Sequence, residues 1–479
     1  MTKSRKFLIT ELILTLLFFK PVFGQITVET YTLDQAVETA LKNNHDVKIA
    51  KLEVKKAQQA VKEAFGYALP SIDFSANLSH FISKPKMPFP DFQAMLNNAT
   101  YGILFNEGVL PFNPSKFMPM GTKLQSFALS NSFNTKIQAT QILFNSAVFR
   151  GIGASQIYLN LAKEKLKSTV AKTTLDTKKA FYGVLLSERL LEITREKYNN
   201  AKEHLATINS MYKQGLVSDF DQMNAEVQIS NIKPVIRQLE NIVDNAKNGL
   251  KILLKVPQDS EIEVAGKMKM PEETLPNEND VIAEALENNL TLRTLKIKRR
   301  LDDEFAAIDK GGYWPTVAAF GNYSFSGNSD NWDFSTYTSS IVGVSFSINL
   351  FQGTRTYHKV QQDKITALQT DEQIAMLKSA TIMSVKAKLN DLLRIRDEID
   401  AMSKNVKLAE RAYRIAEDKY KEGTATELEV KDAVVSLSDA KTNYVKAVHD
   451  YLVSEAELKN LTGNVNPDYY NFVKKYLND

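Results

Sequence analysis

The side chains best placed to do chemistry in this chain are three carboxylates that follow glycine-marked turns. Asp221 lies six residues after Gly215, and Glu429 and Asp432 lie six and nine residues after Gly423. Glu429 and Asp432 are three positions apart, so on a helix they are neighbours on one face. Carboxylates grouped in this way concentrate a negative potential and attract cations.

Two of these acids also have a purely structural interpretation. Ser218-x-x-Asp221 and Thr426-x-x-Glu429 both match the capping box, in which the acid satisfies orphan backbone N–H groups at a helix start. An acid there also complements the positive end of the helix. Asp432 lies too far into its helix for a cap, which favours an ionic role. For Asp221 and Glu429 both interpretations stay open.

Nothing else in the chain forms a catalytic constellation. The sequence has no cysteine, and no Gly-x-Ser-x-Gly or phosphate-loop pattern occurs. The acidic residues are otherwise spread along polar helix faces. We therefore expect a non-enzyme with no catalytic residues, no cofactor and no metal site. The five histidines are scattered without ligand spacing: His45, His80, His204, His358 and His449.

The first residues predict export. Lys3, Arg5 and Lys6 precede the apolar run 7–19, and Val22-Phe23-Gly24 offers a cleavage site for signal peptidase. The run is shorter than the roughly 20 residues of a spanning helix. We expect residues 1–24 to be a signal peptide, whose removal leaves a nearly neutral chain that is not suited to nucleic acid.

An internal repeat organises the rest of the chain. Ala40-Leu41-Lys42-Asn43-Asn44 returns 245 residues later as Ala285-Leu286-Glu287-Asn288-Asn289, whereas the later matching motifs are 207 or 208 residues apart. The difference falls on 82–123, which we interpret as an inserted loop rich in proline and methionine. The predicted domains are a first repeat at 25–254, a linker at 255–278, a second repeat at 279–463 and a tail at 464–479.

Each repeat reads helix, strand, loop, strand, helix, helix. Apolar and polar residues alternate over the four predicted strands, with Phe320 as the clear exception. We place these strands at about 71–82, 124–144, 316–327 and 337–351. No later stretch is long and apolar enough for a spanning helix, so contact with a bilayer would require a closed β-barrel. Four strands cannot close one alone.

Two long helical tracts without proline, about 146–211 and 354–420, dominate the composition. At 1.5 Å per residue each is about 100 Å long, far more than a globular core needs. Each ends at a glycine, Gly215 or Gly423, and a second helix returns. We therefore predict two helical hairpins, with a kink at Pro234 in the first returning helix.

These features together resemble the TolC-like outer-membrane efflux protein family across almost the whole mature chain. The motifs are the tandem repeat, the Ala-Leu-x-Asn-Asn openings, and the turns Tyr212-x-x-Gly215-Leu216 and Tyr420-x-x-Gly423-Thr424. The resemblance implies a homotrimer that is mainly α-helical, with a twelve-stranded transmembrane β-barrel and a trimeric α-barrel of long antiparallel coiled-coil helices.

The resemblance also implies roles for residues at the turns. Glu429 and Asp432 match the two acidic positions of the family's constriction, and Asp221 matches an acid on the neighbouring hairpin. Ala425 stands where the family pattern has an arginine. Because the turns would be the deepest points in the periplasm, we expect six residues there to contact an adaptor: Tyr212, Gly215, Leu216, Tyr420, Gly423 and Thr424.

The expected function is an exit duct in the outer membrane of a Gram-negative bacterium, with a large periplasmic portion. Its expected partners are outer-membrane lipid, a periplasmic adaptor and an inner-membrane pump of a tripartite efflux or type I secretion system. The alternative is a structural periplasmic coiled-coil protein whose strands form a soluble cap. The methionines of 82–123 leave copper export as a minor alternative. The sequence does not identify the substrate.

Overall fold

The computed structural model describes residues 29–271 and 275–478. The predicted signal peptide lies outside the described residues. The chain divides into two compact units, one built from the residues up to Gln59 with Gln156–Asp303 and Ile365–Asp479, the other from Ala60–Ser155 and Glu304–Lys364.

Helices account for most of the described chain. The α-helices are α1 Leu33–Asn43, α2 His45–Gly66, α3 Phe92–Asn106, α4 Ser146–Lys213, α5 Asp219–Leu254, α6 Glu278–Asn288, α7 Leu290–Lys310, α8 Arg355–Lys421, α9 Glu427–Leu461 and α10 Lys474–Asn478. The strands are β1 Glu29–Tyr31, β2 Ser71–His80, β3 Met87–Pro90, β4 Thr122–Gln125, β5 Asn131–Phe144, β6 Ile262–Val264, β7 Thr316–Ser329 and β8 Ser335–Ser347.

The four strands predicted by alternation form one antiparallel sheet in the order β2-β5-β7-β8. Its register joins residues of the two repeats, for example Ile137 to Tyr323. β2 and β8 are the edges of this sheet. Both are exposed to solvent along nearly their whole length. Within residues 29–271 and 275–478, no further strand pairs with either edge.

Two strand boundaries differ from the prediction. β5 begins at Asn131 instead of about 124, because Thr122–Gln125 pairs with Met87–Pro90 in a separate two-stranded antiparallel sheet. β8 ends at Ser347 although the alternation continues to Leu350. Ser347 already pairs with Thr316, the first residue of β7, so no partner remains for the residues beyond it.

Phe320, the exception in the alternation, has a specific packing partner. Its ring covers Gly343 on the neighbouring strand β8, where an added Cβ would approach the ring to 2.9 Å. On the opposite, apolar face, Phe133 covers Gly327 in the same manner. An aromatic side chain across a strand glycine supplies packing that the glycine lacks. The break in the alternation at Phe320 is therefore explained by the packing of its ring on Gly343.

The insertion is more regular than its turn-rich composition predicts. It contains the antiparallel strands β3 and β4 and, in the connection between them, the 15-residue helix α3. The prolines lie before and after this helix and do not interrupt it, and Asp91 caps its start by accepting from the N–H groups of Gln93 and Ala94. Aromatic rings join the strand pair to the helix, as with Phe89 and Phe92 at 5.3 Å between centroids.

The long helices of the other unit reach the predicted scale. α4 and α8 have 68 and 67 residues, or about 100 Å each. α5 and α9 return from the two turns. One core cluster packs Phe181 of α4 with Leu250 of α5 and Ala40 of α1. The second packs Leu392 of α8 with Val448 of α9 and Ala285 of α6. The two repeats thus pack their equivalent helices in the same way.

The last asparagine of each Ala-Leu-x-Asn-Asn motif explains why the motif occurs twice. The Asn44 amide donates to the carbonyl of Leu253 at 3.5 Å, and that of Asn289 to the carbonyl of Leu461 at 3.0 Å. The same side chains accept from backbone N–H groups at the starts of α2 and α7. Each asparagine therefore joins a helix start to the end of its returning helix.

Pro234 lies inside α5, which continues through it to Leu254. None of the described helices combines the length and the apolar character that crossing a membrane would require.

Candidate functional site at the hairpin turns

The two hairpin turns have the same backbone geometry. Gly215 and Gly423 both have a φ of 72°, the left-handed region that glycine adopts without strain. The N–H of Gly215 donates to the carbonyl of Tyr212 at 2.9 Å, and that of Gly423 to the carbonyl of Tyr420 at 3.0 Å. A second bond from the following residue completes a Schellman motif in each case.

Both returning helices begin with the predicted capping box. The Ser218 backbone N–H donates to Asp221 Oδ2 at 3.1 Å, and the Asp221 N–H donates to Ser218 Oγ at 3.2 Å. The Thr426 N–H donates to Glu429 Oε2 at 2.7 Å, and the Glu429 N–H to Thr426 Oγ1 at 3.3 Å. These two acids therefore stabilise the helix starts, whatever else they do.

Asp432 lies on the exposed surface of α9, beyond the first helical turn. Its position fits the sequence argument that it is not a cap. The structure thus separates the three acids into two capping residues and one free surface carboxylate on the same hairpin as Glu429.

The turns pack against one another through a small core, which we call the tip seam: Ile208, Ala225, Tyr420 and Val430. One residue comes from each of the four long helices. The repeat-equivalent tyrosines differ here, because Tyr212 is 42% exposed and Tyr420 only 4%. Of the six predicted adaptor contacts, Tyr420 is the buried one.

The sequence analysis did not single out His204 or Glu427 as site residues. The His204 ring lies 4.8 Å from that of Tyr420, and both side chains are buried. Glu427, the first residue of α9, is 9% exposed. One signal could have found it, since Glu427 is three and seven positions before the buried Val430 and Val434, on one helix face.

Burial controls the ionisation of these groups. It raises the pKa of Glu427, an effect that Asp221 and Asp432 reinforce and Lys431 opposes. Burial likewise raises the pKa of Tyr420, reinforced by Asp221 and Glu427. It lowers the pKa of His204, because a charged imidazole is poorly solvated in the seam. The seam therefore favours the neutral forms of all three.

The turns carry three acidic side chains beside a cluster of buried polar side chains. Among the described residues, no group of three or more histidines, aspartates or glutamates is arranged to hold a metal ion. Acidic side chains grouped in this way attract cations.

The fold is that of outer-membrane channel proteins. The chain superposes on the crystal structure of the Campylobacter jejuni CmeC outer membrane channel with a TM-score of 0.71 at 15% identity, covering 93% of this chain and 89% of that one. The Neisseria gonorrhoeae MtrE outer membrane channel, in its open state, gives 0.68 at 15% identity over 90% and 88% of the two chains.

Sequence comparison supports the resemblance. Residues 281–464 match the family model of the outer membrane efflux proteins. The outer membrane protein TolC of Salmonella enteritidis is 24% identical over 348 residues, 70% of each chain. The predicted resemblance to the TolC-like outer-membrane efflux proteins is therefore confirmed.

Proposed function

We propose that three copies of this chain form one passive exit duct across the outer membrane, with a twelve-stranded β-barrel continued by an α-helical barrel in the periplasm. The observation that carries this proposal is the pair of unpaired edges on the four-stranded sheet. In lipid each backbone N–H or C=O group without a hydrogen-bond partner costs several kcal/mol, so the edges must pair with other chains. Small barrels begin at about eight strands; the family resemblance favours three copies.

The exposed apolar row of the sheet supports a lipid-facing barrel over the alternative of a soluble cap. Ile72 and Val342, which lie in one row across the sheet, are 75% and 89% exposed. A soluble cap would need a second sheet over this face. The remaining sheets within the described residues have two strands each. Lipid is the cover that suits a row of this kind.

The energy for transport comes from partners in this proposal. A periplasmic adaptor would dock on the hairpin turns, where Tyr212, Gly215, Leu216, Gly423 and Thr424 are exposed. The buried Tyr420 would shape that surface from beneath. An inner-membrane pump would then supply substrate, either a small toxic compound or a secreted polypeptide, to a tube that has no catalytic activity of its own.

The entrance would select cations through acidic rings. In a trimer, Asp221, Glu429 and Asp432 would each occur three times around a narrow axis and focus a negative potential. The capping bonds of Asp221 and Glu429 are compatible with this role, because a capping carboxylate lies at the helix start, next to the turn.

The insertion, residues 82–123, would lie outside the cell. We propose that it narrows the outer mouth; a surface loop without a role in transport is the alternative. Its helix α3 carries no charged residue and exposes Leu96 and Ile103.

The assembly is tested by its state in detergent and its location. We expect the mature chain to fractionate with the outer membrane and to migrate as a trimer that heating converts to a monomer. A water-soluble monomer with folded strands would contradict the duct and favour the structural alternative.

The acidic rings are tested by separating charge from capping. Asp432→Asn removes a carboxylate outside the cap, whereas Thr426→Ala breaks the cap and keeps every acid. In planar bilayers we expect Asp432→Asn to weaken cation preference and block by multivalent cations. Thr426→Ala should keep selectivity and lose about 1 kcal/mol of stability. Unchanged selectivity in both Asp432→Asn and Glu429→Ala would refute the rings.

A further inference from the structure

The tip seam, together with His204 and Glu427 beside Tyr420, contains buried polar atoms whose hydrogen-bonding capacity is unmet. Nε2 of His204, the hydroxyl of Tyr420 and Oε1 of Glu427 are all buried without a hydrogen-bond partner among the described residues. Unpaired buried polar groups cost free energy. Three of them in one small core make the seam a place where the two hairpins are held together weakly.

Glu427 differs from the other two because it is an acid and carries a full negative charge when ionised. Its side chain is nine-tenths buried, yet it lies in the first turn of α9, between the exposed residues Thr426 and Leu428. A small movement of the start of α9 would bring it into solvent.

The charged and titratable groups around Glu427 come from every element of the seam. Asp432 and Lys431 share its helix, Asp221 faces it from α5, and Tyr420 belongs to α8. Further into the seam, His204 of α4 is influenced by Glu417 and Lys421 of α8. Glu427 therefore faces two acids and one lysine, and ionisation inside the seam is opposed by both burial and repulsion.

We propose that Glu427 is a proton-controlled latch of the channel entrance. Neutral Glu427 stays packed in the seam and keeps the two hairpins together. Ionised Glu427 moves into solvent, weakens the seam and adds a further carboxylate beside Asp221 and Asp432. The latch rests on the proposed function. It makes Glu427 a determinant of channel opening and of ion preference, in addition to the three acids of the proposed rings.

The direction of the pH effect follows from linkage. In the packed seam the pKa of Glu427 is raised above its ordinary value of 4.5, so the packed form binds the proton more tightly than the parted form does. Protonation therefore stabilises packing, and this stabilisation is lost as the pH rises through the raised pKa. Acid closes the entrance, and higher pH opens it.

The decisive variant is Glu427→Gln, which is nearly isosteric and permanently neutral. In planar bilayers from about pH 5 to about pH 8, we expect the conductance of the unaltered channel to rise severalfold, by at most about tenfold per pH unit for each proton released. Glu427→Gln should remain in the low-conductance state at every pH. The matched control, Glu226→Gln, changes an exposed acid on α5 and should keep the wild-type response.

A second measurement follows the seam itself. The chain has no cysteine, so Ala225→Cys places a single thiol in the buried seam. Gln214→Cys places a thiol on the exposed turn. Its reactivity at each pH is the reference that corrects for the ionisation of the thiol itself. We expect the corrected reactivity at position 225 to rise with pH, and to stop rising when Glu427→Gln is added. Both series are repeated in a His204→Phe background, which removes the titration of the imidazole.

The outcomes separate the latch from the duct. Channels whose conductance and thiol reactivity depend on pH equally with and without Glu427→Gln would overturn the latch and leave the duct intact. Channels that show no pH response at all would also overturn it. If the unaltered chain forms no channel in any bilayer, the proposed function itself fails.

Discussion

At the scale of single residues, the hairpin turns place acids in two different environments. Asp221 and Glu429 accept hydrogen bonds from backbone N–H groups at the starts of their helices. Glu427 is buried, and burial raises its pKa. The local backbone sets the environment of the first two carboxylates, and packing sets that of the third.

His204 should make the tip sensitive to acid. The folded chain holds it neutral with a pKa below the ordinary 6.5, whereas the unfolded chain binds the proton at the ordinary value. Stability is therefore lost as the pH falls from about 6.5 through the lowered pKa. We expect His204→Phe, which keeps an aromatic ring against Tyr420, to lose less thermal stability between about pH 7.5 and about pH 5.

The control for this prediction is His45→Phe, which changes an exposed histidine on α2. It should lose as much stability on acidification as the unaltered chain. An equal loss in His204→Phe would mean that this histidine does not contribute to acid sensitivity.

The capping bonds were predictable from sequence, and the meeting of the seam residues was not. Ser218-x-x-Asp221 and Thr426-x-x-Glu429 are local patterns, so spacing alone predicts their bonds. His204, Tyr420 and Glu427 meet only because two hairpins from different repeats pack together. No periodicity within one helix shows which face of the other hairpin it contacts.

At the scale of elements, the same argument explains the errors in the strands. The alternation through Ile348 and Leu350 describes residues that suit a strand, but pairing ends where β7 begins. Similarly, residues 124–125, one apolar and one polar, lie within the predicted strand at about 124–144, but they pair with β3. Alternation predicts that a strand can exist, and the available partner decides where it ends.

The left-handed glycines give a direct test at this scale. Gly215 has open space around its missing Cβ, so Gly215→Ala would add only the cost of a positive φ, about 1 kcal/mol. The matched change Gly249→Ala lies within α5, also in open space and without a positive φ. It should stabilise by about 0.5–1 kcal/mol. Chemical denaturation measures both; destabilisation by both variants would contradict the turn argument.

At the scale of the whole molecule, the two faces of the sheet should differ in their tolerance of charge. Val344 is exposed in the apolar row, and we expect Val344→Lys to destabilise the membrane-inserted trimer by about 2–4 kcal/mol near the bilayer centre. Ser345→Lys, on the opposite face of β8, should cost much less because that side chain would face the lumen.

Heat-dependent trimer dissociation after reconstitution compares these two variants. Equal sensitivity on both faces would argue that the apolar row does not contact lipid. The mainly helical fold and the family resemblance were predictable because the repeat, the long helices and the alternation are all periodic. The proposed closure into a trimer involves other copies of the chain, and its support within one chain is the pair of sheet edges.

The register of the sheet has a consequence for the order of folding. Each helical hairpin closes through a turn of a few residues, whereas Asn131 pairs with Ser329 and Thr140 with Phe320, partners that lie in different repeats. Contacts so distant in sequence form slowly, because a long loop must first be closed. The helical arms should therefore fold first, and the four-stranded sheet last. In the proposed barrel, such an order would keep the apolar row from forming before the molecule reaches lipid.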